Sequence, residues 1–323
     1  MQQWIEAYPA AAVFAVFLAF VVLELALGLF RSEHETREDA PLEGAITLLF
    51  AAMIYPGVLW LVGWLAAQYT PELAGSLAGL PVWAMVLILL LGDDLTQYWW
   101  HRASHSPLLW PLHRAHHSAP YMSIWVVYRN NFFYYALMPG IWISAYLVFL
   151  GLAAVYPWYM LVKMLVIFGA HSEVRWDQPL YRYRVLHPLA WIVERTISTP
   201  ATHFAHHAIT NADGIGHYKG NYGNLLFLWD VLFGTAHITR RYPARSGLYD
   251  DVVHGPESWM VQLFYPVLRS KRTASALTGQ GPLPSAATTH EPTAEELARP
   301  SPWSRGARPG EGKAVAQGAG VAP

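Results

Sequence analysis

The apolar residues of this chain are gathered into runs long enough to cross a bilayer, and no other feature limits its fold as tightly. Crossing about 30 Å of hydrocarbon takes about 20 apolar residues, and a helix satisfies its own backbone polar groups on the way. Ala10 to Phe30 has that length and lacks the basic start and small-residue cleavage site of a signal peptide. Ile46 to Ala67, Pro81 towards Trp100, and a pair of segments between Phe132 and Ala170 follow it. The reading is an all-α integral membrane protein with four to five transmembrane or half-membrane helices, residues 1–80 forming the N-terminal membrane part. Charged residues are only 13% of the 323, about half the ~25% of soluble chains. Fifteen Trp and 18 Tyr supply the amphipathic rings that collect at bilayer interfaces.

Lys and Arg orient these segments, because cytoplasmic loops retain positive charge. The first ten residues, the loop from Gln68 to Leu80 and the turn near Val155 contain none. Every basic residue except Lys163 falls in 31–43, 101–131 or after 171. The amino terminus is therefore expected outside, with the loop after the third run and everything from His171 onward in the cytoplasm of a bacterial inner membrane or its equivalent. A net charge of −1 and the lack of a basic aromatic stripe exclude nucleic acid as a partner. From residue 271 to Pro323 the composition shifts to Pro, Gly, Ala, Ser and Thr without apolar periodicity, and a disordered tail is expected there.

Cysteine is absent, so a metal would be held by histidine or oxygen ligands. Three strings stand out among the 15 histidines: HRASH with His101 and His105, HRAHH with His113, His116 and His117, and HFAHH with His203, His206 and His207. At helical spacing, residues three or four apart share a face, so each string aims its imidazoles at one region. His171 follows the fifth apolar segment. Nine imidazoles on one side of the membrane, in a helical cap, exceed what one ion takes and suit two. Imidazole alone does not name the metal; the membrane setting and the ligand count favour iron. A single histidine near a membrane surface is ordinarily an amphipathic interfacial residue. That reading is kept for His34, His237, His254 and His290, while His187 and His217 stay open as extra ligands. Asp94 precedes His101 by seven residues on the same stripe and is expected to orient a histidine from behind. Asp93 is left undecided. Glu24 lies mid-helix in the first run, an expensive place for a carboxylate, with no partner that the sequence names. Arg102 and Arg114 are candidates for pairing an anionic headgroup or for simple lipid contact.

These strings resemble the fatty acid hydroxylase and sterol desaturase superfamily, which carries an HxxxH, an HxxHH, an isolated histidine and a final HxxHH in this order. The resemblance covers roughly residues 90–240: DLTQYWWHRASH from Asp94, LWPLHRAHHSAPYM from Leu109, HSE at His171, TPATHFAHHA from Thr199 and NYGNLLFLWDVLFGT from Asn221. The HSE string resembles the alkylglycerol monooxygenase and bacterial branches, whereas VVYRNN after the second cluster departs from the arginine-histidine-proline of many relatives. The resemblance implies a catalytic domain over 81–270 holding a di-iron centre that uses O2 and two electrons per turnover to hydroxylate or desaturate a lipid. It also implies that His101, His105, His113, His116, His117, His171, His203, His206 and His207 are the metal ligands. The chain has no dinucleotide fingerprint and no haem domain, so electrons are expected from a separate reductase, ferredoxin-like or cytochrome partner. Two other classes compete. A zinc-dependent membrane hydrolase would need a general base such as the glutamate of HExxH, which no cluster contains. A metal or haem carrier would place histidines inside the spans.

Overall fold

The computed structural model describes residues 2–29, 35–272 and 275–279, with side chains from residue 12 onward. Among these residues it is helical throughout; two isolated β-bridges, Ile197 to Leu226 and Ala208 to Ser246, are the only extended pairings. The first apolar run is α1 (Gln2–Ala26). The second is longer than expected, because α2 (Asp39–Leu49), a π turn at Phe50–Ile54 and α3 (Tyr55–Tyr69) continue into one another. Together Asp39–Tyr69 is one apolar helix of 31 residues, about 46 Å long. The third run is α4 (Val82–Leu89), a π turn at Leu90–Asp94, and α5 (Leu95–Ser104). The short α6 (Trp110–His117) precedes α7 (Phe132–Ala136), α8 (Pro139–Phe149) and α9 (Tyr156–His171).

By length and composition, Asp39–Tyr69 and Phe132–Phe149 qualify to cross a membrane. Of the expected four to five crossings, two stand alone on this criterion among the described residues. At 16 residues α9 reaches only about 24 Å, and it carries Lys163. The outward faces of these helices nevertheless expose Trp60, Trp64, Trp83 and Trp158, as lipid-facing and interfacial surfaces do.

The helices close on each other through apolar stripes. Val13, Val16, Phe17 and Phe20 of α1 pack on Met164, Ile167 and Phe168 of α9. Val58 and Val62 of α3 meet Ile141 and Ala145 of α8, and Met85 and Leu89 of α4 meet Leu147, Tyr156 and Tyr159. The remaining helices, α10 (Gln178–Arg182), α11 (His187–Thr196), α12 (Pro200–His206), α13 (Leu228–Phe233), α14 (Tyr249–His254) and α15 (Trp259–Phe264), are short. Of these, α12 rests on α9, and α15 on α2 and α6.

Buried charges join the segments. Glu24, fully buried on α1, accepts from Ser123 Oγ (2.8 Å), Ile124 N (3.0 Å), Ser172 Oγ (2.6 Å) and Glu173 N (3.3 Å). The carboxylate without a foreseeable partner is therefore a clamp between the stretch after α6 and the HSE string after α9. Asp93, undecided from sequence, pairs with Lys163, whose Nζ lies 2.5 Å away, and accepts from Tyr159 Oη at 2.8 Å. That pairing gives a partner to the one basic residue outside the expected Lys and Arg segments. Arg114 is not a headgroup ligand: it is fully buried, with Nη2 3.0 Å from Asp250 and 2.6 Å from Asp251, and Arg272 bridges to the same two carboxylates. Arg102 donates to Tyr98 Oη and lies over the Trp99 ring. Residues 275–279, assigned to the tail by composition, fold back: Ser270 N donates to Leu277 O at 2.9 Å and Leu277 is fully buried. The rest of the expected tail, with His290, and also His34, lies outside the described residues.

Replacing Glu24 with Ala strands two hydroxyls and two backbone N–H groups, each costing ~1–3 kcal/mol when buried unsatisfied. Glu24→Ala is expected to lower the unfolding temperature of the purified protein markedly, and Glu24→Gln, which keeps an acceptor, to lower it less. Equal melting of all three would remove Glu24 as a clamp.

Candidate metal centre

Four helices bring the nine clustered histidines together. The TPATH sequence starts α12 sharply: Thr199 and Thr202 form a reciprocal capping box and Pro200 occupies the first turn. Asp177 Oδ2 accepts from Ala201 N at 2.9 Å and holds that end in place. On α6 and α12 the pattern i, i+3, i+4 splits each string. Residues i and i+4 share a side, while the two adjacent histidines lie about 100° apart around the axis. One group of imidazoles therefore takes His101 and His105 from α5, His113 and His117 from α6, and His206 from α12. The other takes His116 from α6, His171 from α9, and His203 and His207 from α12. Within each group the candidate ligand nitrogens all lie within 4.8 Å of one another. The groups adjoin, with the His117 and His207 rings stacked at 4.5 Å and the His113 and His116 rings 5.1 Å apart.

Hydrogen bonds fix which nitrogen points inward. His101 Nδ1–H donates to Tyr222 O (2.8 Å), His206 to Gly220 O (2.7 Å), His116 to Arg129 O (3.1 Å), His171 to Ile167 O (2.8 Å) and His113 to Asn130 Oδ1 (3.1 Å). A carbonyl only accepts, so these rings carry their proton on Nδ1 and turn the Nε2 lone pair inward. The consequence is a conflict in the protein alone. His101 Nε2 and His206 Nε2 stand 3.0 Å apart with no hydrogen available between them. His203 Nε2 lies 2.9 Å from His171 Nε2 and 3.2 Å from His207 Nε2, and one proton serves only one of these contacts. His113 Nε2 and His207 Nδ1 are buried without a hydrogen-bond partner. Converging lone pairs with their outer N–H groups tied to carbonyls are what a bound cation needs, so the donor set fits a metal in each group.

Burial also keeps the rings neutral. Desolvation pulls His101 and His171 down to about 4 and His113, His116, His117, His203, His206 and His207 well below the ordinary histidine range, with neighbouring imidazoles adding to the effect in these six. Neutral imidazole is the ligating form.

Residues 86–235 match the family model for fatty acid hydroxylase. Through that segment the chain is similar to the fatty acid hydroxylase family. It is 30% identical over 153 residues to alkylglycerol monooxygenase of Xenopus tropicalis, covering 46% of this chain and 29% of that protein. For the Danio rerio alkylglycerol monooxygenase the identity is 29% over 193 residues, 56% of this chain and 36% of that protein. Ornithine lipid hydroxylase OlsE of Rhizobium tropici is 28% identical over 196 residues, 59% of this chain and 53% of that protein. The chain thus matches about a third of the alkylglycerol monooxygenases and about half of OlsE. No solved structure matches it significantly.

The family segment contains residues whose part in the site the sequence does not announce. The NYG string has no ligand of its own, yet its turn supplies the carbonyls of Gly220 and Tyr222 to His206 and His101. Asn221 holds it with φ +57°, a left-handed conformation asparagine tolerates, while its side chain bonds Thr202 O and the backbone of His237. Asp230, from the WDxLFGT string, accepts from Tyr222 N (2.8 Å) and Gly223 N (2.6 Å). Asp94 departs from expectation: it bonds no histidine but accepts from Leu225 N, Leu226 N and Trp229 Nε1 (2.8 Å), anchoring the same loop from the other side. The divergent VVYRNN string provides Arg129 O and Asn130 to α6, and the buried Arg129 guanidinium pairs with Asp39 (2.6 Å) and Glu43 (3.2 Å). His187 and His217 join neither group; His187 Nε2 bonds Tyr181 O, and His217 lies beside His237. Glu173, the carboxylate beside His171, is paired to Arg175 at 2.5 Å.

Two outcomes are expected. Asp94→Ala strands the buried Leu225 N at ~1–3 kcal/mol and the part-buried Leu226 N and Trp229 Nε1 at less, and it loosens the loop behind His101, so both the unfolding temperature and the metal retained after dialysis should fall; unchanged metal content would separate Asp94 from the site. The depressed histidine values also make the metal-free protein acid-sensitive. Below about 6.5 the unfolded chain takes up protons that the folded chain refuses, so stability, full above that pH, declines as pH falls towards 4. A melting temperature of metal-free protein that is flat between pH 7 and 5 would contradict this burial.

Proposed function

We propose that this chain is a membrane-bound, O2-dependent lipid hydroxylase that holds two iron ions, one in each imidazole group, and works with a separate electron donor. The observation that carries the reading is the pair of adjoining histidine groups at the end of an apolar cavity of about 600 Å³. Bound iron would supply the O2 activation and C–H oxidation that no side chain performs. The chain's own residues do the rest. His101, His113, His116 and His171 form the cavity's polar end, while Phe17, Phe50, Val127, Tyr134, Met164 and Phe168 give walls that accept an alkyl chain and exclude water. The five carbonyl-held tautomers keep their Nε2 lone pairs directed inward, so ligation by these rings requires no reorientation. Because Val13 and Phe14 of α1 and Ala51 of the π turn also line the cavity, a lipid can reach it from the side, between α1 and the Asp39–Tyr69 helix.

The family match and the names of the similar proteins, a monooxygenase of alkylglycerols and a hydroxylase of ornithine lipids, support lipid hydroxylation over hydrolysis. So does the histidine-only composition of both groups among the described residues. Desaturation is the same chemistry carried one hydrogen further. In this reading residues 81–270 are the catalytic unit, and the histidines with the C-terminal helices face the cytoplasm, where reducing partners reside.

Purified protein is expected to carry two irons per chain, and extracts of cells expressing it to contain a lipid gaining one oxygen, or losing two hydrogens, relative to cells without it. His116→Ala and His207→Ala should abolish that product and lower bound iron while leaving membrane insertion intact. Full turnover in either variant would strike that residue from the ligand set, and a single zinc in place of iron would favour a hydrolase.

A further inference from the structure

The cavity has a second polar feature that the metal site does not use. Asp93 and Lys163 both line it, and both are nearly fully buried. They sit on two rails. Asp93 leads through the π turn into α5 and reaches His101 eight residues later; Lys163 on α9 reaches His171 eight residues later. Each interval is about 12 Å of helix. The rails meet at both ends, through the 2.5 Å Lys163–Asp93 contact at one and through His116, whose ring lies 6.5 Å from His101 and 5.4 Å from His171, at the other.

The hydrogen-bond inventory of the pair is unequal. Asp93 Oδ2 receives both Lys163 Nζ and Tyr159 Oη. Gly140 of α8 approaches so closely that a Cβ there would stand 3.0 Å from Asp93 Oδ1, which closes that side of the carboxylate. Lys163 has three N–H donors and a single acceptor among the described residues, Asp93. An ammonium buried this deeply with donors to spare, facing an apolar cavity, is costly unless something accepts from it. The pair is neutral as a unit, so a charged ligand gains from one member and is repelled by the other.

We propose that Lys163, held by Asp93, binds a neutral oxygen of the lipid, an ester or amide carbonyl, an ether or a hydroxyl, at about 12 Å from the carbon presented to the histidines. This deepens the reading of the cavity as the lipid site and rests on it. Lys163 is a positioning residue: it sets which carbon along the chain lies beside the metal centre, and that carbon is remote from the oxygen.

Binding tests it without turnover. Metal-free protein in detergent is equilibrated with radiolabelled octadecane, octadecanol or methyl octadecanoate, and retention is compared. The oxygenated probes should be held about tenfold more tightly than octadecane, ~1.4 kcal/mol. In Asp93→Asn/Lys163→Met, which leaves no unpaired charge, that preference should fall to about one while octadecane retention is unchanged. Equal retention of all three probes by the unmodified protein, or an undiminished preference in the double variant, would overturn the proposal. Oxidation by the iron-loaded enzyme at the carbon adjoining the oxygen would overturn the spacing. A chain that discriminates the probes as expected yet never oxidises them would count against the oxygenase reading alone.

Discussion

The hydrogen bonds that run outward from the imidazoles are the constraint on which the rest of this structure depends. Each Nδ1–H tied to a carbonyl commits its Nε2 lone pair to the interior, and the two lone pairs of His101 and His206 are left 3.0 Å apart. In water such rings would rotate or protonate. Here burial opposes protonation and the backbone opposes rotation, so the surrounding fold must bear the repulsion until a cation relieves it. A centre built this way is strained in the bare protein and stabilised by its ligand, the expected coupling of metal binding to folding.

That requirement explains why so much buried charge lies around the site and so little within it. The NYG turn that receives His101 and His206 is held from opposite sides by Asp94 and Asp230. The Arg129 backbone that receives His116 is fixed by its own guanidinium to Asp39 and Glu43 at the start of the long helix. Arg114, between His113 and His116, is tied through Asp250 and Asp251 to Arg272, so the end of the described chain secures the same helix. Buried ion pairs contribute little net stability compared with apolar packing, and breaking one is expensive. Their use here is to make ring positions non-negotiable in a bundle whose apolar contacts alone would permit sliding.

The parts of this architecture that are periodic were legible in the sequence. Helical spacing within HRASH, HRAHH and HFAHH places imidazoles on common faces, and apolar runs reveal the long helices. What the sequence withholds is set by backbone carbonyls and by contacts far apart in the chain. Nothing local says that Tyr222 O would meet His101, 121 positions away, or that Asp94 would bond Leu225 and Leu226 rather than a histidine. The seven-residue interval from Asp94 to His101 does put both side chains on the face of α5 that meets this loop, but the carboxylate is taken up by Leu225 N, Leu226 N and Trp229 Nε1 rather than by an imidazole. Arg114 misled for a related reason: an arginine beside a membrane ordinarily snorkels to the interface, and its acidic partners come from residues 136 and 137 positions later.

The two π turns bear on how the cavity and the metal centre coexist. A π turn inserts one residue into a helix and shifts the faces beyond it. At Phe50–Ile54 the shift turns Phe50 and Ala51 into the cavity wall; at Leu90–Asp94 it sends Asp93 to Lys163 and Asp94 to the loop behind His101. Adjacent carboxylates thus serve two neighbouring faces of one helix, one lining the apolar cavity and one bonding the loop behind the histidines. The same elements that fix the imidazoles therefore also line the space in front of them.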